Sequence, residues 1–283
     1  MLICLLECNG TSKHKGDGYI SSVYFEVIKK NFQTCSIYKA NSLMYIFTGL
    51  LELLVQTSIW YALLGASGTV KGISFSDMVN FVIINLIVNS LVRTSIADSL
   101  AEKIRDGSIA IDFIRPINLK WYLISESLGR NIFNTLFSKL PVCVVAVVFL
   151  GFKLPSSSAH LVLFVISLLL GIFLSYSINY VLGLFVFWFK TGFHIRWILG
   201  AFTDLFAGSI IPLWFYPDLL YNLSKILPFR LISFEPVSIY LGKVSATEAV
   251  YTVILQLVWI GGLLLLEKFI WAKAQQAVTV QGG

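Results

Sequence analysis

The side chains that could carry chemistry are few: three histidines, four cysteines and fifteen acidic residues in a chain of 283. His14, His160 and His194 fall on an N-terminal tail and at opposite ends of apolar runs, so one metal site cannot collect them. Neither a His-Glu zinc signature nor a Gly-x-Ser-x-Gly nucleophile turn occurs. Cys4, Cys8, Cys35 and Cys143 have no paired metal spacing and read as plain thiols. No Walker-type phosphate loop is present, so the chain has no ATP site of that kind. What remains are charged and polar groups set inside apolar runs. A charge at the centre of a membrane helix costs about 2.5–3.5 kcal/mol, so such groups face a bundle interior, a partner or water. Glu52, Asn89, Ser175, Asn179 and Asp204 are therefore the candidates for a polar path between helices. Glu52 has a second option, pairing with a basic group on a neighbouring helix, and bonding between helices is the default role of Asn89, Ser175 and Asn179. Arg93, at the end of an apolar run, reads as structural or lipid-facing.

A second cluster lies outside the apolar runs. From Thr94 to Gly107, Ile96, Leu100 and Ile104 recur every fourth residue, while Asp98, Glu102, Lys103, Arg105 and Asp106 cover the other faces. That period predicts a short amphipathic helix, which Gly107 stops. Pro116 pushes Arg115 toward extended geometry, so the stretch from Ser108 to Pro116, with Asp112 and Arg115, is expected to be a stiff extended connector. The helix and its connector form a surface that a partner could grip; the plainer alternative is a solvated loop.

The elements that hold these groups follow from composition. Apolar residues make up 57%, charged residues 13%, and the mean hydropathy is +0.81; an ordinary globular domain is about a quarter charged. The expected fold is all-α and polytopic, with six membrane spans near 43–64, 78–96, 131–150, 161–189, 197–211 and 249–271. Residues 1–18 are expected to be a disordered tail, and 19–283 a single membrane domain. Between Ile20 and Lys39, apolar Ile20, Tyr24, Val27, Ile28 and Cys35 oppose Glu26, Lys29, Lys30 and Gln33, which predicts an amphipathic helix in the membrane interface or packed on the protein's own surface. The stretch from Asp218 to Lys243 is apolar but interrupted by Pro228 and Pro236, and reads as a broken re-entrant or interfacial hairpin.

Basic residues set the orientation. Lys29, Lys30, Lys103, Arg105, Arg115, Lys120, Arg130, Lys190, Arg196 and Lys268 fall on one side, against Lys71, Lys153, Lys225, Arg230 and Lys243 on the other. The richer side is the cytoplasmic one, which places both termini inside. The net charge of +6 thus reads as topology and not as a nucleic-acid footprint.

The run RTSIADSLAEKIRDGSIAIDFIRPIN, the later IIPLWFYPDLLYNLSKILPFRLISFEPVSIYLGK and the terminal VQGG together resemble the permease subunits of ABC-2 family transporters, in the branch of small six-span permeases that work with a separate ATPase. The resemblance covers nearly the whole chain and leaves out residues 1–18. It implies an N-terminal elbow helix, a coupling helix between the second and third spans, and a hairpin before the last. It implies coupling roles for Asp98, Glu102, Lys103, Arg105, Asp106, Asp112 and Arg115. It also implies two cytoplasmic ATPase copies that bind ATP and Mg, no cofactor on this chain, and a second permease, either a related but different chain or an identical one. The activity implied is export of a drug, peptide or lipid-like substrate across a bacterial cytoplasmic membrane. A membrane enzyme using Glu52 with Asp204, and a non-transporting assembly or sensory subunit, are the readings from other classes.

Overall fold

A computed structural model describes residues 13–37, 39–65, 68–115, 117–155, 157–189 and 200–279. The calls on residues 1–12, on Lys190, His194 and Arg196, and on the start of the fifth span lie outside the described residues. The elements are α1 (Lys13–Ile37), α2 (Lys39–Leu64), a two-residue antiparallel pair β1 (Thr69–Val70) and β2 (Ile73–Ser74), then α3 (Phe75–Val92), α4 (Ile96–Arg105) and α5 (Ile109–Ile114). After these come α6 (Leu119–Asn134), α7 (Leu140–Leu150), α8 (Ser158–Leu184), α9 (Val186–Phe189), α10 (200–206), α11 (Asp218–Ile226), α12 (Phe234–Tyr240) and α13 (Ala246–Thr279). Among the described residues, five stretches are long and apolar enough to cross a membrane: Asn41–Leu64, Phe75–Arg105, Leu119–Leu150, Ser158–Trp188 and Ala246–Lys273. The protein is a polytopic all-α membrane protein.

The spans run alternately between two ends. One end carries α4, α5, the start of α6 and the finish of α13; the other carries β1, β2 and the hairpin before α13. Local signals start and stop these helices. Ser74 and Asp77 cap α3 reciprocally. Asn118 caps α6, and Gly107, at φ 78°, ends the α4 segment as its position in the sequence predicts. Pro141 lies inside the third span, where it can give no N–H to the preceding turn and its ring crowds that turn's carbonyl. A π turn at Thr135–Lys139 widens the helix just ahead of it and joins α6 to α7.

Three expectations are corrected here. The third span does not begin near 131 but at Leu119, because Lys120, Glu126 and Arg130 are helical and paired rather than solvated. Residues 109–114 are helical, and only Arg115 takes the extended geometry that Pro116 imposes (ψ 136°). Helix α1 begins at Lys13. Pro236 does not break a helix but sits in the first turn of α12, where no N–H is required.

Helix α3 is the central helix, buried along most of its length. The half-buried side of α1, with Tyr24, Val27 and Ile28, lies on α6, where a Cβ on Gly129 would come 2.4 Å from the Ile28 carbonyl oxygen. The exposed side carries Glu26, Lys29, Lys30 and Gln33 as the pattern predicts. The hairpin, α11 and α12 joined through the 3-10 turn Pro228–Leu231, dips into the bundle. Its turn meets Asn85 of α3, Gly171 of α8 and Gln256 of α13, each well inside its helix. The Ser233 hydroxyl donates to Asn85 Oδ1 (2.8 Å), Gln256 Nε2 donates to the Leu231 carbonyl (2.8 Å), and Gly171 leaves room for the Ile232 carbonyl. The irregular backbone is thus satisfied by protein, as it must be away from water.

Candidate functional site

Helix α4 is seated by its apolar stripe. Ile96 and Leu100 are fully buried against Leu123 of α6 and Tyr176, Tyr180 and Leu184 of α8. Gly183 supplies the notch: a Cβ there would stand 3.1 Å from Ala97 Cα and 3.2 Å from a Leu100 methyl. The other side is open, with Glu102, Arg105 and Asp106 exposed. Ser108 donates both its N–H (2.9 Å) and its hydroxyl to the Asp106 carboxylate, which holds that carboxyl below its usual range.

The remaining charges of this region turn inward. Asp112 is buried and accepts from Lys103 Nζ at 2.6 Å and from Arg115 at 3.2 Å, so it fastens α5 to α4. Folding α5 as a helix also exposes Ile111 and Ile114, the latter 84% accessible, beside the exposed Glu102 and Arg105 of α4. Sequence reasoning missed this apolar patch; its signal was the three-residue spacing of Ile111 and Ile114. Contiguous apolar surface rimmed by charge marks a place where something binds.

A second feature begins at the same helix. A cavity of about 190 Å³ is lined by Asn89, Ser175, Asn179 and Asp204, four of the five path candidates, together with Arg93 and Asp98. Arg93 bonds to Asp204 at 3.0 Å across its mouth. The Ser175 hydroxyl donates to the Val92 carbonyl (2.7 Å) and Asn179 to the Ser175 carbonyl (3.0 Å), so both also serve as helix glue. Glu52, the fifth candidate, lies apart, accepting from Lys139 of the π turn at 3.1 Å. It borders a constriction of about 20 Å³ that shares Asn89 and Ser209 with the first cavity. The constriction in turn shares Gln56 and Ile210 with a third, apolar cavity of about 350 Å³ lined by Ile59, Trp60, Leu63 and Phe215. The Trp60 indole N–H is buried there with no acceptor among the described residues.

The three spaces form a series, more polar at the α4 end and apolar at the hairpin end, along a face that α3 and α10 supply at the first space and α2 at the second and third. Asn85 was not singled out from the sequence, yet it ties this face together by donating to the Ser209 carbonyl at 2.7 Å. Glu52 and Asp204 do not meet, since each is held by its own cation in a different space.

A family described as ABC-2 family transporter protein has a model that matches residues 34–282. No curated protein matches the chain.

Proposed function

The chain belongs to the ABC-2 transporter family, and we propose that it is the permease of an ATP-driven exporter for amphipathic substrates, drug, peptide or lipid-like. The observation that carries this reading is the graded series of cavities, which starts at the helix a partner would push: Ala97 and Asp98 belong both to α4 and to the first cavity wall. A polar group at one end and apolar tail space at the other suit an amphiphile. ATP and Mg belong to partner ATPases, two copies, docked on Glu102, Arg105, Ile111 and Ile114. Six spans then require a fifth crossing that includes α10, and the excess of basic residues at the α4 end supports a cytoplasmic placement of that end and both termini.

A second permease, a related chain or an identical one, completes the assembly. Glu52 supports this, because its side chain is 52% exposed at the middle of a span despite its pairing with Lys139. An exposed carboxylate at that depth calls for cover by protein or water.

The test uses inside-out vesicles holding the chain with its ATPase and a fluorescent amphiphile. ATP-dependent uptake is expected, and Ile210→Trp, which fills the junction of the constriction and the apolar cavity, is expected to abolish it while ATP hydrolysis continues. Unchanged uptake in that variant would move the path elsewhere.

A further inference from the structure

A fourth space, of about 400 Å³, opens at the α4 end of the bundle, between the start of α6, the finish of α13 and the α5 connector. It belongs neither to the cavity series nor to the exposed side of α4. We propose that it is a binding site for the phosphate headgroup of an anionic phospholipid in the leaflet on that side.

Charge is the first argument. Two carboxylates, Asp112 and Glu267, line the space, and both are already engaged. Asp112 holds Lys103 and Arg115, and Glu267 accepts from the buried Lys120. Arg115 and Lys268 line it as well, and with Lys103 and Lys120 held behind the lining four cations meet the two carboxylates. Lys120 is itself held among the rings of Phe173, Tyr180 and Trp121, at 5.3, 5.9 and 6.0 Å. The excess positive charge therefore falls on Lys268, which is exposed, and on Arg115, which is half exposed. Basic pockets between membrane helices at a polar boundary are suited to phosphate headgroups.

Position is the second argument. The space lies at the ends of the spans Leu119–Leu150 and Ala246–Lys273, the level at which a headgroup layer is expected. Trp121, 44% exposed, and Trp271 stand at the same level, as anchoring indoles do. Along α13, Leu265, Gly261, Val258 and Ile254 fall three, seven, ten and fourteen residues before Lys268, on one helical face leading toward the bilayer centre. Leu265, Val258 and Ile254 are exposed, and nothing stands within 4 Å of a Cβ built on Gly261. A headgroup on Lys268 thus has an open apolar track for its acyl chain. This combination favours a lipid over a free phosphate ester. Because Arg115 also holds Asp112, a bound lipid would brace α5, and with it the docking surface, against the membrane.

The inference can be tested without transport, so its failure would leave the permease reading standing. Purified full-length chain in detergent is titrated with phosphatidylglycerol, cardiolipin or phosphatidylcholine, and retained lipid is read by native mass spectrometry. Preferential retention of one anionic lipid is expected, weakened about fivefold by Lys268→Gln, restored by Lys268→Arg, and unaffected by Lys225→Gln at the opposite end. Equal retention of phosphatidylcholine, or wild-type retention by Lys268→Gln, would overturn the site. Release of the lipid by millimolar glycerophosphate would overturn the assignment to a lipid in favour of a soluble phosphate ester.

Discussion

The seat of α4 on the bundle can be weakened without touching its outer face. Leu100→Ala removes a fully buried side chain whose methyl occupies the notch left by Gly183. Burying a leucine and then truncating it costs about 2–5 kcal/mol, depending on how far the site collapses. A ten-residue helix has no stability of its own in water, so its protection comes from this packing. Loss of that energy should raise amide exchange across residues 96–106 by roughly thirtyfold to several thousandfold, since each 1.4 kcal/mol is a factor of ten. Hydrogen exchange on the full chain in lipid nanodiscs reads this directly, with α3 and α8 as internal references. Glu102→Ala, on the exposed face, should leave protection unchanged. If Leu100→Ala left the segment as protected as wild type in a folded chain, or if Glu102→Ala exposed it equally, the packing account of α4 would be wrong.

Topology is checked by cysteine labelling in a chain whose four native cysteines are replaced. Lys153→Cys should react from outside, and Ile111→Cys only after permeabilisation; Lys120 is 3% exposed and would report from neither side. Lys139→Leu strips Glu52 of its 3.1 Å partner and should cost roughly 1–3 kcal/mol in thermal unfolding, less than a fully buried pair because Glu52 is half exposed, whereas Glu52→Gln with Lys139→Gln should recover most of it. For partner docking, Glu102→Lys and Arg105→Glu should weaken capture of the ATPase by several kcal/mol if the surface is an interface, against ~0–1 kcal/mol for free surface charges. Asp112→Asn should instead loosen α5 in the isolated chain, visible by hydrogen exchange before any partner is added.

The periodic features were legible from the sequence. Ile96, Leu100 and Ile104 gave the stripe of α4, Gly107 its end, and Pro116 the extended Arg115. Four of the five polar path candidates do share one cavity. What local pattern could not supply was the long-range partner of each charge. Lys120, Glu126 and Arg130 looked solvated, and so shortened the third span. In the folded chain Lys120 meets Glu267, 147 residues away, and Arg130 donates to the Ser95 hydroxyl at 2.7 Å. The same blindness left the buried pairing of Asp112 with Lys103 unread, and left Lys139 off the account of Glu52. The proline rule was carried too far in the connector, because it restrains only the residue before Pro116 and leaves Ile109–Ile114 free to form a turn and a half of helix.

The way a push on α4 could reach the cavities follows from how α3 ends. The last carbonyls of a helix have no partner within it. Here the Leu91 carbonyl accepts from Asn131 (3.0 Å) and Tyr176 (3.1 Å), that of Val92 from Ser175, and that of Arg93 from Asn131 (2.6 Å). The end of α3 is thereby tied to both α6 and α8, while α4 starts after a three-residue junction and is held chiefly by its apolar stripe. A displacement of α4 must then be taken up at residues 93–95, and Arg93 and Thr94 line the first cavity. The Arg93–Asp204 bond at its mouth joins side chains 68% and 36% exposed, a pair worth ~0–1 kcal/mol. A conformational change driven by a partner needs contacts that differ between two states. A weak ion pair beside the junction, with strongly anchored helices on either side, is where such a difference costs least.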